Sequence, residues 1–318
     1  MSESWRNVSM RGGWRVLLFV LIPAVLTGCA SSKPETANLE KLIERQQQME
    51  MLNSEQEKQE TLTLEQYEAI GDRYLQNNDI NRAYFNYMKA LAIEPENVPL
   101  LHKQGKLLIK KEKYAEGEKV FRKILSISPD DALAHEGLGR SLLGQKKTAE
   151  AEEAFLAAIA INKEQWQAHH FLALVYSTRQ EYDKAVVEFK LALSSRPQDS
   201  SILNNLAMTY YLQGEYEAAE VILRALAKSS QQKRVYNNLA ITYVQLGRYD
   251  EALNAFKKGS KNEASAYNNI GIEYLKHERY EEAIGAFEKA IALNPQFYPA
   301  ANANLDLARK ALQQRFTE

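Results

Sequence analysis

The sequence predicts an all-α solenoid, a stack of helix pairs, from three observations. Small residues recur at an interval of 34 along most of the chain. Each is followed three residues later by an aromatic residue or leucine, and twelve residues later by another small residue. No segment shows the alternation of apolar and polar residues that is typical of a half-buried strand. A unit of this length cannot bury its apolar face alone, so neighbouring units must stack.

The first 28 residues have the pattern of a bacterial export signal. Three arginines precede the apolar run 16–26, which is too short to span a membrane comfortably. The run ends in Leu26-Thr27-Gly28-Cys29, which resembles the lipobox of bacterial lipoproteins. The resemblance implies cleavage before Cys29 and several acyl chains on that residue, which suffice for stable anchoring. The alternative is an ordinary signal peptide beside a chance cysteine.

The residues around Cys29 also bear on localisation. Cys29 is the only cysteine, so the exported chain would contain no disulfide. Position 30 is alanine, whereas in the lipoproteins that this segment resembles an aspartate there retains the protein in the inner membrane. The resemblance therefore implies an outer-membrane lipoprotein whose body lies in the periplasm.

Residues 29–63 are polar and rich in glutamine, glutamate and lysine. A narrow apolar stripe could make part of this segment helical, but the stripe is thin; it consists of Leu39, Leu42, Ile43, Met49 and Leu52. The composition favours a tether that lifts the body off the membrane. Pairing as a coiled coil is the alternative.

The repeating region begins at Leu64, where Thr63 and Gln66 have the spacing of a capping box. Its first small residues are Gly71, Gly105, Gly139, Ala173, Ala207, Ala240 and Gly271. A bulky residue follows each of them sixteen positions later, namely Tyr87, Phe121, Phe155, Phe189, Leu223, Phe256 and Phe287. The small residues let a neighbouring helix approach, and the bulky side chains fill the space between helices.

This pattern resembles the tetratricopeptide repeat, in which 34 residues form two antiparallel helices. The resemblance covers residues 64–297 as seven repeats, at 64–97, 98–131, 132–165, 166–199, 200–232, 233–263 and 264–297. Residues 298–318 are predicted to form a capping helix and tail. The sixth repeat is short around Gly259 and Ser260, which predicts a tighter turn there, with a hinge as the alternative.

Two asparagines precede an aliphatic and a small residue in three successive repeats. On a wheel of about 100° per residue, one of each pair lies opposite the core stripe; these are Asn205, Asn238 and Asn269. Their neighbours at the flank are Asn204, Asn237 and Asn268. Because such solenoids line their concave surface with first helices, the resemblance implies an amide ladder able to grip a peptide backbone. The alternative is a framework role, since asparagine is common at this position in the family.

A second row runs beside the ladder, three residues further along each first helix. Repeats one to three carry charges there, Asp72, Lys106 and Arg140, whereas repeats four to seven carry Leu174, Met208, Ile241 and Ile272. Phe171 lies near this row, and Tyr211 and Arg234 are candidates for its rim. An apolar row beside an amide ladder suits capture of an extended peptide, although these residues could instead pack between first helices. The groove of repeats four to seven is the predicted site.

The sequence contains no motif that indicates nucleic-acid, metal or phosphate binding. The formal net charge of −1 gives no bulk attraction to nucleic acid. The five histidines have no ligand partners at metal-binding spacing, and no glycine-rich phosphate loop follows a strand. We therefore expect no metal, cofactor, nucleic acid or small-molecule substrate, and no catalytic residue.

The combination of lipobox, polar tether and repeat solenoid resembles two groups of pilus lipoproteins. One is the D component of the tight-adherence (Flp) pilus apparatus, which seven repeats favour, and the other is the pilotin of type IV pili. The resemblance implies a non-catalytic scaffold that holds a segment of a pilus, secretin or other secretion component during assembly. A different class is an adaptor that docks periplasmic cell-wall hydrolases or proteases on its convex surface or as a dimer.

Overall fold

Fifteen helices and no strand make up the part of the chain that the structure, a computed structural model, describes. That part comprises residues 62–294 and 299–315, with the single residues 44, 45 and 48; the predicted signal, Cys29 and most of the tether lie outside it. The helices are α1 (Leu64–Gln76), α2 (Ile80–Ile93), α3 (Val98–Lys110), α4 (Tyr114–Ile127), α5 (Ala132–Gly144), α6 (Thr148–Ile161), α7 (Trp166–Thr178), α8 (Tyr182–Ser195), α9 (Ser200–Gln213), α10 (Tyr216–Ser229), α11 (Lys233–Gln245), α12 (Tyr249–Gly259), α13 (Glu263–Lys276), α14 (Tyr280–Leu293) and α15 (Pro299–Arg315). The predicted all-α class is confirmed.

Helices α1 to α14 form seven consecutive pairs, and α15 packs on α14 at the end of the stack. Successive first helices from α3 to α11, the odd-numbered ones, are in closer contact with each other than successive second helices are. The first helices therefore lie on the inner side of the stack. Within residues 62–294 and 299–315, no helix is both long enough and apolar enough to cross a bilayer.

The helix starts and the turns follow local sequence. Gln66 N donates to Thr63 Oγ1 at 3.3 Å and Thr63 N donates to Gln66 Oε1 at 2.8 Å, which confirms the predicted capping box. Each turn within a pair contains one residue with a left-handed backbone. Glycine adopts it without strain at Gly214 and Gly247.

The core repeats one contact between a small residue and a bulky one. A Cβ atom on Gly139 would lie 2.5 Å from the Phe155 ring, and one on Gly271 would lie 2.6 Å from the Phe287 ring. Both phenylalanines are completely buried. The predicted role of the small residues is confirmed, because only they let the second helix bring its ring against the first.

Replacing Gly137 with alanine should lower the stability of the chain. The new Cβ would overlap the ring of the buried Phe121, and overpacking of this kind costs about 1–3 kcal/mol. That cost exceeds the gain of at most about 1 kcal/mol that alanine brings to a helix. The midpoint of urea unfolding, followed by circular dichroism, measures the loss.

Gly285→Ala provides the matched control. Gly285 also lies within a helix, α14, but it is exposed and a Cβ there would meet no atom within 4 Å. Alanine should therefore raise stability by about 0.5–1 kcal/mol. Equal shifts of the midpoint in the two variants would show that ring packing does not limit position 137.

Candidate functional site

Side-chain amides join neighbouring first helices in a repeated diagonal contact. Asn238 Nδ2 donates to Asn204 Oδ1 at 2.9 Å, between α11 and α9. Asn205 Nδ2 lies 3.4 Å from His170 Nε2, between α9 and α7. In both cases a residue at the ladder position reaches back to the flank position of the preceding repeat. The ladder therefore helps to set the register between repeats.

Two of the flanking asparagines are not accessible. Asn204 and Asn268 are only 4% and 6% exposed. Asn268 Oδ1 accepts a hydrogen bond from Asn304 Nδ2 on α15 at 3.1 Å, as Asn204 Oδ1 accepts one from α11. The sequence places both at the flank of the groove, whereas the structure assigns them to packing between repeats. The prediction is therefore corrected: Asn204 and Asn268 form internal contacts and do not line a binding surface.

The diagonal contact is absent between the sixth and seventh repeats. Helix α12 ends at Gly259, after 11 residues. Asn237 Nδ2 donates to the Gly259 carbonyl at 3.4 Å, while its Oδ1 is buried without a hydrogen-bond partner. Asn269 Nδ2 donates to Ser260 Oγ at 3.3 Å. The shortened sixth repeat thus changes the partners of both asparagines.

The three ladder residues present oxygen acceptors. Asn205, Asn238 and Asn269 are half-buried, and each directs Nδ2 to a partner within the chain. Their Oδ1 atoms accept no hydrogen bond from the described residues, yet none is a buried atom without a partner. The ladder therefore offers three amide oxygens without a described hydrogen-bond donor, in successive repeats.

The apolar row is half-buried along its whole length. Leu174, Ile241 and Ile272 pack against the core with part of their side chains. Met208 is half-buried as well. Each keeps part of its surface open, so the row combines a packing role between helices with an accessible apolar strip.

Phe171 marks the start of this strip. Its ring stacks on Phe155, with centroids 5.8 Å apart and planes 13° apart. The Arg140 guanidinium lies 4.8 Å from the centre of the Phe171 ring and forms a 3.3 Å ion pair with Glu136. Burial raises the pKa of Glu136, and the charge of Arg140 opposes that rise. The charged part of the groove therefore meets its apolar part at repeats three and four.

His170 lies beneath the same region. Its side chain is buried and in contact with the rings of Phe171 and Phe189. Burial lowers the pKa of His170 and so disfavours the charged imidazolium. Its Nε2 faces Asn205 Nδ2, whereas its Nδ1 is buried without a hydrogen-bond partner.

The two rim candidates behave differently. Tyr211 is half-buried; its hydroxyl accepts from Gln245 Nε2 at 3.2 Å, and its ring meets Tyr216 edge-on. Burial raises the pKa of Tyr211. Arg234 is exposed and donates to Gln232 Oε1 at 3.2 Å. Tyr211 thus joins repeats five and six, while Arg234 lies where a partner can reach it.

The first two repeats use an ion pair where the later ones use amides. Lys103 occupies the ladder position of repeat two and contacts Glu68 and Asp72, each at 2.7 Å. Asp72 also accepts from the Tyr87 hydroxyl at 2.6 Å. The Lys103–Glu68 pair reproduces the diagonal contact with charges. Complementary residues 34 or 35 positions apart, such as these, are the sequence signal that would have revealed it.

His169 should make the stability of the chain depend on pH. It is 4% exposed; its Nδ1 is 2.6 Å from Glu188 Oε2 and its Nε2 is 3.0 Å from the Lys163 carbonyl. Burial alone would lower the pKa of His169, but these two acceptors outweigh burial and raise it. The stabilisation is therefore complete below the unfolded value of about 6.5 and is lost as pH rises through the folded value. Urea unfolding at pH 6 and pH 8.5 measures the loss.

His169→Gln should remove this loss of stability between the two pH values. His135 is the matched control because it occupies the equivalent position one repeat earlier. Its Nε2 contacts the Pro129 carbonyl at 2.9 Å, and its described hydrogen bonds include no carboxylate. His135→Gln should leave the pH dependence as it is in the parent chain. The same change in both variants would exclude the His169–Glu188 pair as the cause.

Other features of the described residues do not converge on the groove. They include no group of three or more side chains able to hold a metal ion. Two shallow cavities lie at turns between repeats, one around Asp131 and Gln165 and the other around Arg196 and Asp199.

Family comparisons cover almost all of the repeat region. Models described as tetratricopeptide repeat match residues 65–97, 102–169, 167–199, 200–262 and 264–297. No curated protein matches the chain.

Solved structures share the fold at low sequence identity. A tetratricopeptide repeat protein from Parabacteroides merdae ATCC 43184 is 20% identical, with 77% of this chain and 98% of that chain covered and a TM-score of 0.55. PilW, a widely conserved type IV pilus biogenesis factor, is 20% identical, with 60% and 90% covered and a TM-score of 0.57. A chain of the APC/C Cut9–Hcn1 hetero-tetramer is 18% identical, with 75% and 48% covered and a TM-score of 0.52. These likenesses concern the fold.

Proposed function

The chain belongs to the tetratricopeptide repeat family, and from that premise we propose that it is a non-catalytic scaffold for another envelope protein. Its groove in repeats four to seven binds an extended segment of that protein. The observation that carries the proposal is the set of three open acceptors, Asn205, Asn238 and Asn269, beside a half-buried apolar row. The amides bind the main chain of the segment, and its apolar side chains lie on the row.

The charged groups of the groove support binding rather than catalysis. Lys103 is held by Glu68 and Asp72, and Glu136 is held by Arg140. These side chains serve as contacts within and between repeats, so none is poised as a free acid, base or nucleophile. The proposal accordingly includes no metal, cofactor, nucleic acid or small-molecule substrate.

The proposed location is the periplasmic side of the outer membrane, with a lipid anchor at Cys29. This part of the proposal rests on the lipobox-like sequence and on Ala30. Cys29→Ser should abolish incorporation of labelled palmitate and move the protein from the membrane fraction to the soluble fraction. A variant that remained in the membrane fraction without lipid would contradict anchoring at Cys29.

The proposed biological setting is the assembly of a pilus or a secretion apparatus. The order of lipobox, polar tether and repeats resembles the tight-adherence pilus D component and the type IV pilus pilotin. PilW, which shares the fold, is a type IV pilus biogenesis factor. The expected partner is therefore a secretin, a pilus subunit or another secretion component.

Site-specific photo-crosslinking in the source cells tests the use of the groove. A benzophenone amino acid at Met208, in the apolar row, should form a covalent adduct with the partner. The same amino acid at Val221, which is 61% exposed on the second helix α10, is the matched control. Adducts with a pilus or secretin component at Met208 alone support the proposal.

The alternative, an adaptor for cell-wall hydrolases or proteases, has one observation in its favour. Val187 and Val221 occupy equivalent positions on α8 and α10 and are 54% and 61% exposed. Both lie on second helices, on the outer side of the stack. Adducts with a hydrolase or protease at Val221, and none at Met208, would favour this function over the first.

A further inference from the structure

We propose that the segment bound in the groove is a polyproline II helix with an apolar residue at every third position. This inference rests on the proposed function and specifies the conformation and spacing of its ligand. It is carried by two features of the groove, the hydrogen-bonding character of the ladder and the spacing of its steps.

The ladder selects a ligand with free main-chain N–H groups. Asn205, Asn238 and Asn269 each donate an amide N–H to a partner within the chain. The Oδ1 of each has no described hydrogen-bond donor. An α-helix has already paired its N–H groups internally beyond the first turn and could not donate to three acceptors in succession. A polyproline II helix has no internal hydrogen bonds, so its N–H groups are free.

The spacing of the ladder selects the period of the ligand. Helices α7, α9 and α11 are each in direct contact with the next in this order, and helices packed in this way have axes about 8–10 Å apart. Three residues of polyproline II advance about 9 Å and return to the same face. A β-strand returns to the same face after two residues, or about 7 Å. This distance is shorter than the spacing of the ladder, so a strand would lose register with it.

The steps of the apolar row have the same spacing as the steps of the ladder. Leu174, Met208, Ile241 and Ile272 lie three residues beyond the ladder position in repeats four to seven. A ligand that donates an N–H at each ladder step therefore also places a side chain on each step of the row. Four such steps correspond to a segment of about ten residues.

Peptides of one composition test the period against the purified full chain. The first has leucine at positions 1, 4, 7 and 10 with proline and alanine between them, which favours polyproline II. The second contains the same residues with leucine at every second position. Fluorescence polarisation should show at least tenfold tighter binding of the first. Tighter or equal binding of the second would overturn the inference and leave the proposed function standing.

N-methylated versions of the first peptide test the acceptors. One is methylated at its leucines and the other at its alanines, so each lacks one set of N–H groups at period three. One of the two should lose at least tenfold in affinity and the other should retain it. Full affinity in both would overturn the inference, because the amide oxygens would then have no donor.

A pair of chain variants completes the test. Asn269→Asp keeps an oxygen acceptor, and Ser260 Oγ can donate to it in place of accepting; it should bind the first peptide as the parent chain does. Asn269→Ala should bind it more weakly. Loss of binding in both variants would assign Asn269 the role of donor and overturn the inference. If no peptide binds and Met208 forms no adduct, the proposed function itself fails.

Discussion

Replacing Asn205, Asn238 and Asn269 together with alanine is expected to weaken partner binding by about a hundredfold. Each substitution removes one hydrogen bond to the main chain of the partner, worth about 1 kcal/mol. Three of them amount to about 3 kcal/mol, or roughly a factor of a hundred in the dissociation constant. Calorimetric titration with the partner identified by crosslinking at Met208 measures the change.

The control for the triple variant is Asn254→Ala. Asn254 is exposed on the second helix α12, away from the ladder, so its loss should not change affinity. The triple variant also deprives the buried Asn204 of its partner, which costs about 1–3 kcal/mol of stability. Circular dichroism should still show full helical content at 20 °C or below. Full helical content with unchanged affinity would remove the ladder from the site.

Phe155→Ala is expected to have the largest effect on stability, a loss of about 3–5 kcal/mol. Phe155 is completely buried, lies against Gly139 and supports the Phe171 ring. Its removal leaves a cavity between two repeats and withdraws the surface on which Phe171 stacks. The variant should therefore both unfold at lower urea concentration and bind the partner more weakly while folded.

Leu156→Ala is the matched control for this substitution. Leu156 is the next residue along α6, but it is 45% exposed. Its replacement should change the unfolding free energy by no more than about 0.5 kcal/mol. Comparable losses in the two variants would show that the packing of the buried ring does not determine the effect.

The sequence predicts the fold well because the deciding features are local or strictly periodic. The 34-residue interval places Gly139 opposite Phe155, and the structure has that contact. Thr63 and Gln66 form the capping box that their spacing predicts. These features depend on helix geometry and on the size of two residues, and both can be read along a single repeat.

The groove was less predictable because its details depend on the offset between repeats. A helical wheel relates Asn204 and Asn268 to their own helix pair, where they lie at the flank. Their burial is caused by Asn238 and Asn304, which reach back from the following helices. The orientation of each amide depends on that partner as well. Spacing within one repeat contains no information about this offset.

The missing amide contact between the sixth and seventh repeats has a thermodynamic consequence for the array as a whole. In a one-dimensional stack the coupling between adjacent units decides how far cooperative unfolding spreads. The amide hydrogen bond that joins the fifth and sixth repeats has no counterpart between the sixth and seventh, and the loss of one such bond weakens the coupling at that seam by about 1 kcal/mol. The seam separates the last pair and α15 from the preceding six pairs. Native-state hydrogen exchange would accordingly divide the chain into two blocks, and the smaller one at the C-terminal end would open first.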